Sequence, residues 1–501
     1  MFRKLLLIAM LLVAVAPAFA QDNILIVALP NDPTSLYGPN MSDRTADNAG
    51  SPLYDNLILQ TANGELLPGL ATAWEVSEDN LTYTFTLREG VTFHNGEAFT
   101  ADDVVATWEY GKTETNEYAG QYAIAASVVA VDDLTVQITT PAPDPLFYTR
   151  ISEDWPIVPG DYIREVGIEG FEAAPIGTGP FVFVERVPGE RIVFSKNPAY
   201  WQEGLPSLDG VEFRIIEDSA TRVAALLAGD VHVVSRLSAE EYATVTADEN
   251  VVGITYPTDR VYYVAFKNVG NGVGTPLEDV RVRQAMNYAV DKDTIIDAIF
   301  GGAASSVASF TVPGNLGYDA SIPAYPYDPA KAQELLAEAG FADGFSIGMG
   351  CPADAYLNIN DVCLAVETDL EAVGIDVELA LLSSDVYWSE AQYGATGPML
   401  VDSWSSSVGE AMPRLEGALT PGEYYAVWED ATIVEFLTGI QTTIDRDARA
   451  QLYRELSVYM NENPPFLYLY QPVSFEAISA KLEGYTVNNA EQFFLAGVSI
   501  K

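Results

Sequence analysis

Residues 174–201 read APIGTGPFVFVERVPGERIVFSKNPAYW, and this stretch decides how the rest of the chain is interpreted. Gly177 and Gly179 leave the backbone free just before Pro180 restricts it. Residues 181–187 alternate apolar and polar side chains, which is typical of a half-buried strand. A Pro-Gly-Glu turn follows and residues 191–195 return as a second strand, so the local pattern predicts a β-hairpin.

A second informative stretch, residues 66–108, reads LLPGLATAWEVSEDNLTYTFTLREGVTFHNGEAFTADDVVATW. Residues 81–87 alternate large apolar side chains with threonines, which predicts another strand. Thr100 is suited to cap a helix whose first turn contains Asp102 and Asp103, because the helix dipole favours acids there. Farther on, residues 211–234 predict a strand, a helix stopped by Gly229 and a second strand, which is typical of an α/β sheet domain.

These stretches resemble the motifs of one family. Residues 68–104 fit the pattern P-x-L-A-x-x-W … Y-x-F-x-L-R-x-G-V-x-F-H-x-G … T-A-x-D-V, and residues 327–340 read YDPAKAQELLAEAG, which fits Y-D-P-x-K-A-x-x-L-L-x-E-A-G. With residues 174–201 they make the chain similar to the peptide/nickel-class extracellular solute-binding proteins, family 5, of ABC importers. The resemblance covers nearly all of the mature chain.

The resemblance implies an α/β, type-II periplasmic-binding-protein fold of two lobes, with an inserted subdomain in the first lobe. A ligand would lie between the lobes, which close by hinge motion. The closed form would dock on an inner-membrane ABC permease. The expected divisions are residues 1–20, a signal peptide; 21–53, 176–262 and 473–501, lobe I; 54–175, the inserted subdomain; and 263–472, lobe II.

The first residues have the pattern of a secretory leader. Arg3 and Lys4 precede an apolar run over residues 5–15, and Ala18-Phe19-Ala20 is a cleavage site of the A-x-A type. The apolar run is short for a membrane span. Because no cysteine follows the cleavage site, we expect a periplasmic protein without a lipid anchor.

The composition limits the kinds of partner that the protein can bind. The 501 residues include 25 Lys and Arg against 71 Asp and Glu, a formal net charge of −46. Such a surface repels phosphate backbones, so no nucleic-acid partner is expected. Apolar residues make up 49% of the chain, which is enough for large cores in two or three domains. No additional oligomerisation segment is apparent, and we expect a monomer.

The only cysteines are Cys351 and Cys363, which do not form a C-x-x-C motif. In an oxidising compartment they are expected to form a disulfide, with two buried thiols as the alternative. The chain has two histidines and lacks the H-E-x-x-H, Walker A and G-x-S-x-G motifs. We therefore expect no enzyme activity, metal or cofactor, and a structural hydrogen-bonding role for His94.

The ligand site is predicted mainly from the resemblance. Peptide-binding relatives hold the α-amine with an acid after a Trp-containing loop, which places Trp404, Ser407 and Glu410 at the ligand. Some relatives hold the carboxylate with an arginine in the segment matching residues 351–361, but that segment has no Arg or Lys here. Tyr356 and Asn358 of the same segment offer aromatic and amide contacts instead. Tyr263 lies on a strand expected to cross between the lobes.

Three functions stay open at this point. The first is an importer-linked binding protein for a peptide-like solute. The second is the same scaffold binding an oligosaccharide, because the aromatic and amide side chains predicted at the site suit sugars. The third is a secreted hydrolase, which the lack of a catalytic constellation disfavours.

Overall fold

The computed structural model describes residues 23–501 except 42, 114–115, 117, 354, 390–394 and 407–408. The predicted leader and Ser407 therefore lie outside the described residues.

The strands of the first half are β1 (Ile24–Leu29), β2 (Ile58–Gln60), β3 (Leu66–Pro68), β4 (Ala71–Val76), β5 (Thr82–Leu87), β6 (Ser127–Asp132), β7 (Thr135–Thr139), β8 (Phe181–Val187), β9 (Arg191–Lys196), β10 (Gly210–Ile215), β11 (Val233–Val234) and β12 (Val251–Pro257). Those of the second half are β13 (Arg260–Phe266), β14 (Ala304–Ser306), β15 (Phe345–Ala353), β16 (Ile375–Ser383), β17 (Met399–Ser405), β18 (Phe466–Ser479), β19 (Leu482–Glu483), β20 (Thr486–Val487), β21 (Phe493–Phe494) and β22 (Ser499–Ile500).

The α-helices are α1 (Arg44–Gly50), α2 (Ala101–Gly111), α3 (Ala119–Tyr122), α4 (Phe147–Asp154), α5 (Gly160–Ala173), α6 (Ser219–Ala228), α7 (Ala239–Val245), α8 (Val280–Ala289), α9 (Lys292–Phe300), α10 (Pro329–Glu338), α11 (Ile359–Glu371), α12 (Ser384–Tyr387), α13 (Met412–Leu419), α14 (Ala431–Thr442) and α15 (Arg446–Glu462).

The main sheet runs through both lobes. Its strand order is β16-β15-β17-β13-β18-β11-β1-β10-β9-β8, with β12 and β14 also paired to β18. The end that contains β1 belongs to lobe I, where β1 is parallel to both β10 and β11. The end that contains β15 belongs to lobe II, where β15 is parallel to β16 and β17. Strand β18 passes from one lobe to the other, so it fixes how the two lobes are joined.

Separate apolar cores lie under the two lobes and in the subdomain. The lobe I core includes Leu25, Phe194 and Phe213, all at most 1% exposed. Lobe II has the largest core, formed by side chains between residues 261 and 470 with Leu146 of the subdomain added. The subdomain core lies on an antiparallel sheet of order β4-β5-β7-β6. Burial of apolar side chains is the main source of stability for each unit.

The predicted hairpin is present as β8 and β9, and its two preceding glycines have a steric role. A Cβ atom at Gly177 would lie 2.0 Å from the carbonyl oxygen of Leu53, and one at Gly179 would lie 2.5 Å from the carbonyl carbon. His94 of the subdomain contacts the same two glycines. Its Nε2 donates to the Gly179 carbonyl at 3.0 Å. The Gly177 amide donates to Nδ1 of His94, so both ring nitrogens are used.

This contact explains the histidine of the 66–108 stretch. Burial lowers the pKa of His94 to about 4, despite its hydrogen bond to Gly179, and keeps the ring neutral at pH 7. A neutral ring has one donor and one acceptor nitrogen, which is what the two glycine contacts require. His94 therefore ties the subdomain to lobe I, in the structural role predicted for it.

Candidate functional site

A cavity of about 590 Å³ lies where lobe I, lobe II and the subdomain meet. Nearly all of its lining side chains are polar or charged: Asn31, Asp43, Arg44, Thr45, Asp47, Tyr118, Arg236, Thr258, Asp259, Arg260, Ser405, Asn489, Ala490 and Glu491. Small-molecule sites in proteins have volumes of about 300–1,000 Å³. The cavity therefore has the size and the position of a site for a small solute between two lobes.

Arg260 begins β13 and is held in place from both lobes. The neighbouring Asp259 donates its amide to the carbonyl of Asn489 in lobe I and accepts at its own carbonyl from the amide of Ser406 in lobe II. The Arg260 guanidinium donates to the hydroxyls of Ser403 at 2.8 Å and Ser405 at 3.3 Å. Its place at the cavity is thus determined by backbone contacts and by strand β17.

The other charged groups of the cavity have partners. Glu491 pairs with Arg236 at 3.3 Å, and Asp47 pairs with Arg44 at 3.1 Å. Asp259 forms a fully buried ion pair with Arg414. Asp43 caps α1 by accepting from the amides of Thr45 and Ala46 at 2.8 and 3.0 Å.

Arginines shape the electrostatic field of the cavity. Burial by itself raises the pKa of Glu491, but Arg236 and Arg260 outweigh it and leave that pKa below its ordinary value. At Asp47 the balance is reversed, because burial raises the pKa to about 6 in spite of Arg44. Arg236 and Arg260 therefore favour the charged form of Glu491, whereas Asp47 is easier to protonate than an ordinary carboxyl group.

Aromatic side chains lie next to Arg260. The rings of Tyr262 and Tyr470 stack with centroids 4.8 Å apart, and Tyr356 packs edge-on against Tyr262 at 5.2 Å. The Arg260 guanidinium carbon lies 5.8 Å from the centre of the Tyr356 ring. The Tyr356 hydroxyl donates to Asp402 at 3.2 Å. Of the predicted ligand-binding residues that the structure describes, Tyr356 is thus the one beside the charged end of the cavity.

Trp404 does not line this cavity. It lies on β17 opposite Val261, whereas a loop was predicted at this point. Side chains alternate along a strand, so Ser403 and Ser405 point to the face of Arg260 and Trp404 points to the other. Its ring packs edge-on against Tyr425 at 5.2 Å and closes over Gly417, where a Cβ atom would lie 2.2 Å from the ring.

Glu410, which was predicted to hold a ligand amine, has structural partners in lobe II. Its carboxylate accepts from Arg449 at 2.7 and 2.9 Å and from the Tyr453 hydroxyl at 3.0 Å, and it is only 6% exposed. A carboxylate with a buried guanidinium already bound has no charge left for a ligand amine.

Tyr263 is also placed in the core rather than at the ligand. It is 2% exposed and packs on Phe310 and Phe466 at 4.8 and 4.7 Å. Asn358 adopts a left-handed backbone conformation and donates to the carbonyl of Ile299 at 3.2 Å, away from the interlobe cavity. The predicted disulfide between Cys351 and Cys363 is present, with 6.4 Å between the Cα atoms.

Sequence reasoning missed Arg260, Arg236 and Glu491. The signal for Arg260 was available, because it is the cation immediately before the strand predicted to cross between the lobes. Arg236 and Glu491 carried no comparable signal, since both occupy left-handed backbone conformations in loops that are far apart in the chain.

Two further cavities flank the subdomain. One, of about 480 Å³, lies between the subdomain and lobe I. The other, of about 260 Å³, lies between the subdomain and lobe II beside Arg150, Glu410 and Glu416. In the part of the chain that the structure describes, no group of three or more His, Cys, Asp or Glu side chains is arranged to hold a metal ion. Within the same residues, no helix combines the length and apolar character that crossing a bilayer requires.

Residues 65–426 match the sequence profile of the bacterial extracellular solute-binding proteins, family 5, middle region. The chain belongs to this family. Family 5 proteins are transport binding proteins, which excludes the hydrolase considered from the sequence and confirms the prediction of a non-enzymatic solute-binding component of an ABC importer.

Curated family 5 relatives match over nearly their full length. The dipeptide-binding protein of Escherichia coli K12 is 30% identical over 493 residues, covering 92% of this chain and 91% of the relative. Heme-binding protein A of Haemophilus influenzae is 28% identical over 514 residues, covering 96% and 93%. A glutathione-binding protein of Pectobacterium atrosepticum is 28% identical, covering 92% and 91%.

Solved structures of family 5 proteins share the fold. HbpA2 from Haemophilus parasuis superposes with a TM-score of 0.84 at 26% identity, covering 96% of this chain and all of the other. The DppA protein of Helicobacter pylori, solved with the peptide STSA, superposes at 0.81 with 24% identity, covering 95% and 98%. These likenesses confirm the predicted α/β, two-lobe fold of the type-II periplasmic-binding-protein class.

Proposed function

We propose that the chain binds a small peptide-like solute in the interlobe cavity and delivers it to an ABC permease in the inner membrane. The observation that carries this proposal is the polar cavity of about 590 Å³ bounded by both lobes. Its size suits a ligand of a few residues better than a long peptide. The ligand would make contacts with both lobes at once, so binding would favour the closed form.

A peptide-like solute is favoured over an oligosaccharide by what lines the cavity. The lining combines guanidinium, carboxylate, amide and hydroxyl groups, which match the charged ends and amide bonds of peptides. Two of the side chains that would have held a sugar are engaged elsewhere, since Trp404 packs on Tyr425 and Asn358 donates to Ile299. The names of the dipeptide-binding and glutathione-binding relatives point the same way.

The cellular setting is part of the proposal. We expect the first 20 residues to be removed on export and the mature chain to act in the periplasm as a monomer. The net charge of −46 argues against nucleic acid as a partner. The predicted boundaries between lobe I, the subdomain and lobe II remain our proposal, supported by the separate apolar cores.

Native mass spectrometry of protein purified without refolding tests this function. The expected result is a monomer with one small solute, which is lost on unfolding and identified in the released fraction. Calorimetry with dipeptides and tripeptides should then show one site per chain, and small-angle scattering should show compaction on saturation. A co-purified neutral sugar, together with no response to any peptide, would overturn the peptide assignment.

A further inference from the structure

Arg260 differs from the other arginines around the interlobe cavity in having no carboxylate within ion-pair distance among the described residues. Its guanidinium donates to the Ser403 and Ser405 hydroxyls and lies beside the Tyr356 ring. Arg44 and Arg236 both have carboxylate partners. Burial lowers the pKa of Arg260, but the charges of neighbouring groups, Glu491 and Asp402 among them, outweigh it, so the half-buried guanidinium stays charged and can bind a carboxylate directly.

The carboxylates around the cavity, in contrast, already have partners. Glu491 and Asp47 are paired with arginines, and Asp259 is paired with the buried Arg414. Asp43 is occupied by the amides at the start of α1 and by the Thr34 hydroxyl at 2.8 Å. Glu410, the acid predicted to hold a ligand amine, is engaged by Arg449. All of these carboxylates except Asp43 are in ion pairs among the described residues, and Asp43 already accepts three hydrogen bonds.

We propose that the solute is anchored by a carboxylate that binds the Arg260 guanidinium, and that a free amine is not needed for binding. This inference rests on the proposed function and specifies the chemistry of the ligand. The two serine contacts leave further N–H donors of the guanidinium fork available. Arginine is suited to such a role because its planar fork matches a carboxylate in two parallel hydrogen bonds.

The surroundings hold Arg260 ready for this contact. Asp259 fixes the backbone on one side through Asn489 and Ser406, and β17 supplies the two hydroxyls that orient the guanidinium. The Tyr356 ring lies beside it and limits its movement. Such preorganisation reduces the entropy lost when the ligand binds.

Calorimetry with three forms of one dipeptide tests the proposal: alanyl-phenylalanine, its N-acetyl derivative and its C-terminal amide. The free and N-acetylated peptides should bind alike, and the amide should bind at least about 30-fold more weakly, the scale of a broken buried charge pair. Equal affinity for the free peptide and its amide would overturn the proposal. Tight binding of the amide together with loss of binding on N-acetylation would overturn it as well.

Arginine variants test whether the preference for a free carboxylate over the amide depends on Arg260. In Arg260→Gln the preference for the free carboxylate over the amide should disappear, and in Arg260→Lys it should be reduced because the fork is lost. Arg164→Gln is the matched control, since Arg164 pairs only with Asp161 on its own helix. Unchanged preference in Arg260→Gln, with the fold intact by circular dichroism, would assign the selectivity to another residue.

The result also separates this inference from the proposed function. If none of the three forms binds, alanyl-phenylalanine is not a ligand, and the co-purified solute identified by mass spectrometry becomes the probe. If that solute is an acid, binding of its methyl ester that is at least about 30-fold weaker would support the carboxylate anchor. A co-purified solute without an acidic group would overturn it.

Discussion

Glu410 and Arg449 form an ion pair in which both side chains are almost fully buried, with 2.7 Å between Oε1 and Nη2. Arg449, near the start of α15, also donates to the carbonyls of Thr443 and Ile444. It therefore connects the loop before α13, which contains Glu410, to the loop between α14 and α15. The pair is therefore a structural element of lobe II.

Glu410→Gln should destabilise the protein and leave ligand selectivity unchanged. Removing one partner leaves a buried guanidinium without a counter-charge, which costs about 3–5 kcal/mol. Urea unfolding measures the loss, and Glu435→Gln on the exposed face of α14 is the control. Normal stability combined with lost binding would instead support a role of Glu410 in holding the ligand.

The disulfide between Cys351 and Cys363 should contribute about 3 kcal/mol to stability, because it closes a loop of 12 residues between the end of β15 and α11. The double variant Cys351→Ala, Cys363→Ala should lower the urea midpoint, and a reductant should do the same to the wild type. Titration of two free thiols in the non-reduced protein would contradict the bond.

Glu476 should make stability depend on pH. Burial raises the pKa of this carboxyl to about 7, even though the hydroxyls of Tyr256 and Tyr485 donate to it. Between pH 4.5 and 7 the folded protein keeps a proton that the unfolded chain releases, so the free energy of unfolding falls as pH rises. Arg236 and Glu491 also act on this group, with opposite signs.

Glu476→Gln isolates that contribution. The difference in unfolding free energy between wild type and variant should change by about 3 kcal/mol between pH 4.5 and 7.5 in favour of the variant. Urea unfolding at several pH values measures it. A difference that stays constant across this range would show that Glu476 titrates normally.

An ion pair between the subdomain and lobe II should favour the closed form. Arg150 on α4 contacts Glu416 on α13 at 3.1 and 3.2 Å, and both side chains are partly exposed. Arg150→Gln should weaken solute affinity by about 1 kcal/mol, because a partly exposed pair contributes little and only in the closed form. Adding Glu416→Gln should cause no further loss. Two independent, additive losses would mean that the residues do not act as a pair.

Local features of the fold were predictable from the sequence. Thr100 caps α2 and Gly229 ends α6 in a left-handed conformation, as predicted, and Asp291 caps α9 in a comparable way. These features depend on neighbouring residues, so they can be recognised in a short stretch. The hairpin of β8 and β9 is predictable for the same reason.

Features that depend on distant strands were missed. Strand β18 continues past Pro472 to Ser479, because β14 pairs with residues 470–472 and β12 pairs with residues 473–479. Pro472 fits there since only its carbonyl is used, accepting from Thr258. Trp404 was assigned to a loop because its pairing with β13 is not visible locally.

The candidate site was the least predictable part. Whether an arginine or a glutamate is free depends on partners far along the chain: Arg449 for Glu410, Glu491 for Arg236 and none among the described residues for Arg260. The loop resemblance selected Trp404, which lies on the face of β17 opposite to Arg260, and Glu410, which lies beyond the end of that strand.

A crystal structure of the mature protein with its co-purified solute tests the central claim most directly. Electron density is expected for one small molecule between the lobes, in contact with Arg260, with Ser405 of lobe II and with side chains of lobe I such as Thr45. An acidic group of that molecule should lie within hydrogen-bonding distance of the Arg260 guanidinium. Density in the cavity between the subdomain and lobe I, with the interlobe cavity holding only water, would contradict the account.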